Sequence, residues 1–151
     1  MVFSFLKKHA AAFVMTSALA LPACDAPDFE VQAPLFVFNT YPANGSTVSR
    51  IDLDEFLIVF SRDLGTAEDV RDSIETWLRL SDEESELVLI RPDQTNVSYD
   101  AEFYTVRVLV DGPLKSGMAG GLYTLTVDPG LESVDGIRMP QPFSVRFRLA
   151  D

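Results

Sequence analysis

The 151-residue chain reads as an all-β sandwich. Two observations point there. The closing segment places Phe143, Val145, Phe147 and Leu149 in alternation with Ser144, Arg146 and Arg148, a period of two with one buried and one wet face. Ahead of it, short apolar runs recur between polar, turn-forming stretches, and helical spacing surfaces only once. Together they predict about seven strands with one short helix.

The elements follow in order. Leu35 to Phe38 is a short strand ended by Asn39. Tyr41-Pro42-Ala43-Asn44-Gly45-Ser46 is a corner: Pro42 fixes φ, Asn44-Gly45 suits a positive φ, and the chain can cross there between sheets. Glu55 to Ser61 holds the apolar run Phe56 to Phe60, which suits a strand buried on both faces. Thr66 with Asp69 three positions on resembles a capping box, with Asp in place of Glu. Val70, Ile74 and Trp77 continue it at helical spacing, giving about two turns that cover one end of the core. Thr76 to Leu80 and Leu87 to Ile90, separated by acidic Ser81 to Glu86, read as a hairpin. Thr105 to Val110 puts Val106, Val108 and Val110 on one face and Arg107 on the other; Leu122 to Val127 and Phe143 to Leu149 close the fold. Phe60 and Phe147 are expected in the core, Arg146 and Arg148 at the surface, and the Tyr123 ring inside with its hydroxyl on a backbone partner.

The N-terminal stretch carries an address. Lys7 and Lys8 precede an apolar run from Ala10 to Leu21, too short to span a bilayer, which needs about 20 residues. Leu21-Pro22-Ala23-Cys24 follows, and Cys24 is the only cysteine. This resembles the lipobox of bacterial lipoproteins, with Pro22 in place of the usual small or aliphatic residue. The resemblance implies a signal peptide over 1–23 and lipidation of Cys24 as the mature N-terminus, hence a protein anchored in a bacterial cell envelope. Residues 24–33 read as a polar tether and 34–151 as one domain.

The charge narrows the partners. The chain carries a formal −11, and loss of Lys7 and Lys8 with the signal peptide leaves −13. Such a surface repels phosphate backbones and anionic headgroups, so nucleic acid is not expected and membrane attachment falls to the lipid.

The motifs Tyr41-Pro42-Ala43-Asn44-Gly45, Val59-Phe60-Ser61, Gly121-Leu122-Tyr123-Thr124, Asp135-Gly136 and the terminal Phe147 resemble, in order and spacing, a bacterial Ig-like domain of the S-layer (SbsA) type. The connection Gly65 to Glu75 is longer than that pattern has. The resemblance implies a Greek-key Ig-like sandwich used as a spacer or adhesion module, with no catalytic residues.

The chemistry agrees with that expectation. The single histidine, His9, lies inside the signal, so the mature chain has no imidazole for a Ser-His-Asp triad or the usual zinc and copper sites. Copper carriers of the CopC type share the sandwich and a Pro-Ala opening but depend on histidines. The remaining candidates are acids. Asp52, Asp54, Glu55 and Asp63 form one sequence cluster, and Asp82, Glu83, Glu84 and Glu86 another. Two facing carboxylates could serve an envelope hydrolase or another carbohydrate-active protein. Asp128, Glu132 and Asp135 share a Gly-containing loop with the oxygen ligands calcium favours, without EF-hand spacing. A solvated acidic surface is the simpler reading of all three. The expected function is therefore a non-catalytic envelope lipoprotein, with no cofactor or metal, that contacts an envelope protein or surface polymer through exposed strand edges; the alternative is the carboxylate-dependent hydrolase.

Overall fold

A computed structural model describes residues 32–83 and 97–151. These form eight strands and two helices among the described residues: β1 Val37–Tyr41, β2 Thr47–Ser49, β3 Glu55–Phe60, α1 Ala67–Trp77, β4 Leu78–Asp82, β5 Val97–Asp100, β6 Thr105–Leu109, α2 Gly112–Gly117, β7 Gly121–Val127 and β8 Phe143–Ala150. One sheet runs β1-β3-β6-β5 and the other β2-β8-β7-β4. This is the strand order of an Ig-like Greek-key sandwich, with β2 added beside the last strand. The extra strand pairs parallel to β8, matching Val48 to Leu149, whereas the other pairings are antiparallel.

The core is the sum of the inward-facing alternations. Phe56, Ile58 and Phe60 of β3 and Val106 and Val108 of β6 face Tyr123, Leu125 and Val127 of β7 and Val145, Phe147 and Leu149 of β8. Phe147 sits at its centre. Its ring lies 5.8 Å from Phe56 and 5.7 Å from Tyr123, the latter stacked at 18°. The Tyr123 hydroxyl donates to the Ala119 carbonyl at 2.9 Å, so the buried ring has its polar tip satisfied at the sandwich end. No disulfide ties the sheets, and packed aromatics occupy the centre instead. Arg146 and Arg148 are exposed.

The corner works as its residues suggest. Tyr41-Pro42 is a cis peptide, Gly45 has φ 77°, and the chain passes from β1 in one sheet to β2 in the other. Asn44 Oδ1 accepts from the Arg146 N–H at 2.9 Å and the Gly45 N–H reaches the Arg146 carbonyl, fastening the corner to β8. The capping box is complete: Thr66 Oγ1 accepts from the Asp69 N–H at 3.1 Å, and Asp69 Oδ2 accepts from the Thr66 N–H at 3.1 Å. Val70, Ile74 and Trp77 are buried, and the Trp77 ring meets Phe60 edge-on at 6.0 Å.

Several expectations are corrected. The first strand is not ended by Asn39 but runs through it to Tyr41, because β3 offers partners as far as Leu57; a bulge between Val37 and Asn39 shifts the register. The β3 apolar run is buried on one face only; Leu57 and Val59 are half-covered on the outer face of their sheet. The helix has three turns rather than two and takes in Thr76 and Trp77, so the following strand starts at Leu78. That strand pairs with β7, matching Leu80 to Leu125, and Leu87 to Ile90, its expected hairpin partner, lies outside the described residues. β2, β5 and α2 were not expected; all are short and polar enough to lack a clear period.

Candidate interaction surface

Cys24, Glu84 and Glu86 lie outside the described residues. The other acids that sequence reasoning singled out go separate ways. Asp54 pairs with Lys115 at 3.1 Å and Glu55 with Arg107 at 3.0 Å. Asp63 serves the loop after β3: its Oδ1 accepts from the Tyr99 hydroxyl at 2.7 Å and the Gly65 N–H at 3.0 Å. The Leu64 N–H in turn donates to the Tyr99 oxygen at 2.9 Å. Burial raises the Tyr99 phenol above its ordinary pKa despite the Leu64 N–H, so the hydroxyl stays a donor to Asp63. Asp52 is exposed between β2 and β3, and Asp82 and Glu83 stand at the far end of β4.

The loop acids Asp128, Glu132 and Asp135 also part. Asp128 Oδ2 lies 2.7 Å from Arg79 Nη2, off the hydrogen-bonding line, Glu132 pairs with Arg138 at 2.9 Å, and Asp135 pairs with Arg62. The Ser133 hydroxyl, first, and Arg62 hold the Asp135 carboxyl below its ordinary pKa. Each loop carboxylate thus has its own arginine. Among the described residues, no three acids, histidines or cysteines gather as a metal site would require.

Three of the four strand edges among the described residues are short or blunted. At β1 the outward Thr40 N–H is taken by the Asn39 side chain at 2.9 Å, and the Thr40 hydroxyl donates to the Pro42 carbonyl. The Phe38 bulge and Pro42 blunt the edge further. β2 has three residues and β5 four, and α1 packs beside β5 and β4.

What the structure does gather is exposed apolar side chains at one end of the β1-β3-β6-β5 sheet. Leu35 and Val37 turn inward, so Phe36 and Phe38 turn outward, and Phe38 is 74% exposed. The β5–β6 hairpin brings Phe103, 63% exposed, and Tyr104 to the same end, where the Tyr104 carbonyl accepts from the Phe60 N–H. Val134, 68% exposed, arrives from the β7–β8 loop through a bond from its N–H to the Asp63 carbonyl. Asp100 Oδ1 accepts from the Glu102 and Phe103 N–H groups and shapes the hairpin tip. Tyr104 sits at φ 49°, a left-handed conformation unusual for an aromatic residue, and keeps a half-exposed ring there.

The chain enters the domain at this same end. Arg62 Nε donates to the Ala33 carbonyl at 2.7 Å, Ser61 Oγ to the Pro34 carbonyl at 3.2 Å, and the Phe36 N–H to Ser61 Oγ at 3.0 Å. Sequence reasoning missed the patch. Its signal was present: a four-residue apolar run on a strand must send every second side chain outward.

The fold is an Ig-like β-sandwich. It is shared with E. coli alpha-2-macroglobulin, solved by electron cryo-microscopy in its native conformation, which superposes with a TM-score of 0.51 at 11% identity over 78% of this chain. The match spans 6% of the macroglobulin chain, so the likeness is one of fold. No family model and no curated protein matches the sequence.

Proposed function

We propose that the protein is a lipid-anchored lipoprotein of the bacterial cell envelope, facing the periplasm or displayed at the surface, whose Ig-like domain works by contact with an envelope protein or surface polymer and not by catalysis. The signal-like start and Cys24 support the anchor. One observation carries the non-catalytic reading: four of the acids that could have joined a reacting pair are committed to different partners, Asp54 to Lys115, Glu55 to Arg107, Asp63 to Tyr99 and Asp135 to Arg62. Glycoside hydrolysis needs two carboxyls facing a sugar from about 5–9.5 Å apart, with one held protonated. The Ser133 hydroxyl and Arg62 lower the Asp135 pKa, the opposite of what the acid of such a pair requires.

The anchor is tested in the native host. Mass spectrometry of the mature N-terminus should find acyl chains on Cys24, and Cys24→Ala should move the protein from the membrane fraction to the soluble one without unfolding it. An unmodified Cys24 sinks the anchor. Turnover of peptidoglycan or a polysaccharide, lost on changing Asp52, Asp54 or Asp63, would sink the non-catalytic reading and establish the hydrolase.

A further inference from the structure

We infer that the apolar end of the β1-β3-β6-β5 sheet is a membrane-docking surface: Phe36, Phe38, Phe103, Tyr104 and Val134 rest in the headgroup–acyl boundary of the bilayer that holds the anchor. This rests on the lipoprotein reading above. A set of exposed apolar side chains gathered at one end is unusual on a monomeric surface and marks a contact site. The place where the chain enters the domain selects the occupant. Arg62 and Ser61 hold the Ala33 and Pro34 carbonyls at the end that carries the patch. Ala33 stands nine positions after Cys24 in the sequence, a reach of about 30 Å at about 3.3–3.6 Å per residue. A lipid on Cys24 therefore keeps this end, and not the Ile51 end, within reach of the bilayer. A macromolecular partner seated on the patch would have to share that gap with the membrane.

The chemistry of the patch fits a lipid surface. Aromatic rings with an apolar body and, in Tyr104, a polar tip are the side chains that settle at this boundary. The charges around them are balanced or acidic: Arg62 is tied to Asp135, Arg138 to Glu132, and Asp100 and Glu102 flank the hairpin tip. Docking is thus driven by apolar contact with neutral headgroups, not by a basic patch. Alone, so small a contact would be weak. Joined to the lipid by a short tether it becomes an intramolecular event at high effective concentration, and the two signals reinforce each other. The Tyr104 backbone strain has a use here, since it keeps an aromatic ring at the hairpin tip that packing inside the domain does not repay.

The test uses the lipidated protein purified from its host and reconstituted into phosphatidylcholine vesicles. With the Cys24 thiol consumed by lipid, a cysteine introduced elsewhere is the sole free thiol, and an environment-sensitive fluorophore can be placed by Phe38→Cys or Phe103→Cys. Ile51→Cys is the control: Ile51 is 79% exposed and equally apolar, but follows β2 at the opposite end of the sandwich. Positions 38 and 103 should show a blue shift and a several-fold rise in emission on reconstitution, and quenching by lipids that carry a nitroxide on the acyl chain. Position 51 should stay aqueous. Probes at 38 and 103 as aqueous as that at 51, in protein that floats with the vesicles, would overturn the docking and leave the anchor standing. A blue shift that follows protein concentration without lipid quenching would assign the patch to a second copy and overturn it too. Label taken up by the parent chain at Cys24 would overturn the anchor, and the docking with it.

Discussion

At the scale of single residues, Phe147 and Phe60 show how much of this domain depends on a few rings. Phe147 touches Phe56 and Tyr123 and connects the two sheets at their centre, and Phe60 meets Trp77 and connects the sandwich to α1. Both are at most 2% exposed, so truncation to alanine leaves a cavity that neighbouring strands cannot close. Each of Phe147→Ala and Phe60→Ala should cost about 3–5 kcal/mol in denaturant unfolding. On the wet face of the same strand, Arg146→Gln and Arg148→Gln should each change stability by less than about 0.5 kcal/mol. Equal effects from the two faces would contradict the inward assignment of Phe147.

At the scale of elements, α1 is held at its start by chemistry and along its length by burial. Thr66 and Asp69 satisfy each other's backbone N–H groups, and the Thr66 hydroxyl, with the backbone contact beside it, lowers the Asp69 pKa. Gly65, at φ 105°, leads into the cap, and a Cβ there would stand 3.3 Å from Asp69 Oδ2. Thr66→Ala should lower the unfolding free energy by about 1 kcal/mol, read from the denaturant midpoint, and Thr66→Ser should restore most of it. A midpoint unmoved by Thr66→Ala would mean that the helix is held by Val70, Ile74 and Trp77 alone. The cap was legible in the sequence because its signal is local, and so were β8 and β6, whose alternation is unbroken over their lengths. β2 was not legible: three residues carry no period, and what makes them a strand is the distant edge of β8. The pairing of β4 with β7 was not legible for the same reason, since adjacency in sequence points only to the next segment and β7 comes from far along the chain. The acids were legible as clusters but not as ion pairs, because their partners come from other elements: Arg107 from β6 for Glu55, Arg62 from beyond β3 for Asp135.

At the scale of the whole molecule, net charge and local pairing pull in opposite directions as pH changes. The folded chain lowers the Asp135 pKa through Ser133 and Arg62 and the Asp69 pKa through Thr66. A carboxyl whose folded pKa lies below its unfolded value adds stability that is present above the unfolded value, about 4, and is lost as pH falls through the folded one. Protonation of the many acids relieves repulsion over the same range, so the raw profile mixes both effects. A comparison of variants separates them. Asp135→Asn should be less stable than the parent at neutral pH, and the gap between their denaturant midpoints should close below about pH 4. A gap that persists at low pH would mean that Asp135 acts through its shape and not its charge.

The parallel pairing of β2 with β8 has a mechanical consequence. A domain held by its N-terminal end and gripped elsewhere is pulled along β1, which starts at the Arg62 end and runs away from it. That force lies across the β1–β3 ladder, so its hydrogen bonds are loaded together in shear and cannot be unzipped one at a time. Should β1 slip, tension passes through the Pro42-Gly45 corner to β2. Its three pairs with β8, together with the bonds from Gly45 and Arg50 to the β8 carbonyls and from Arg148 back to Ser46, are again in shear. The short strand that the sequence did not announce is therefore a second catch behind the first, placed where a domain held at its N-terminal end would bear its load.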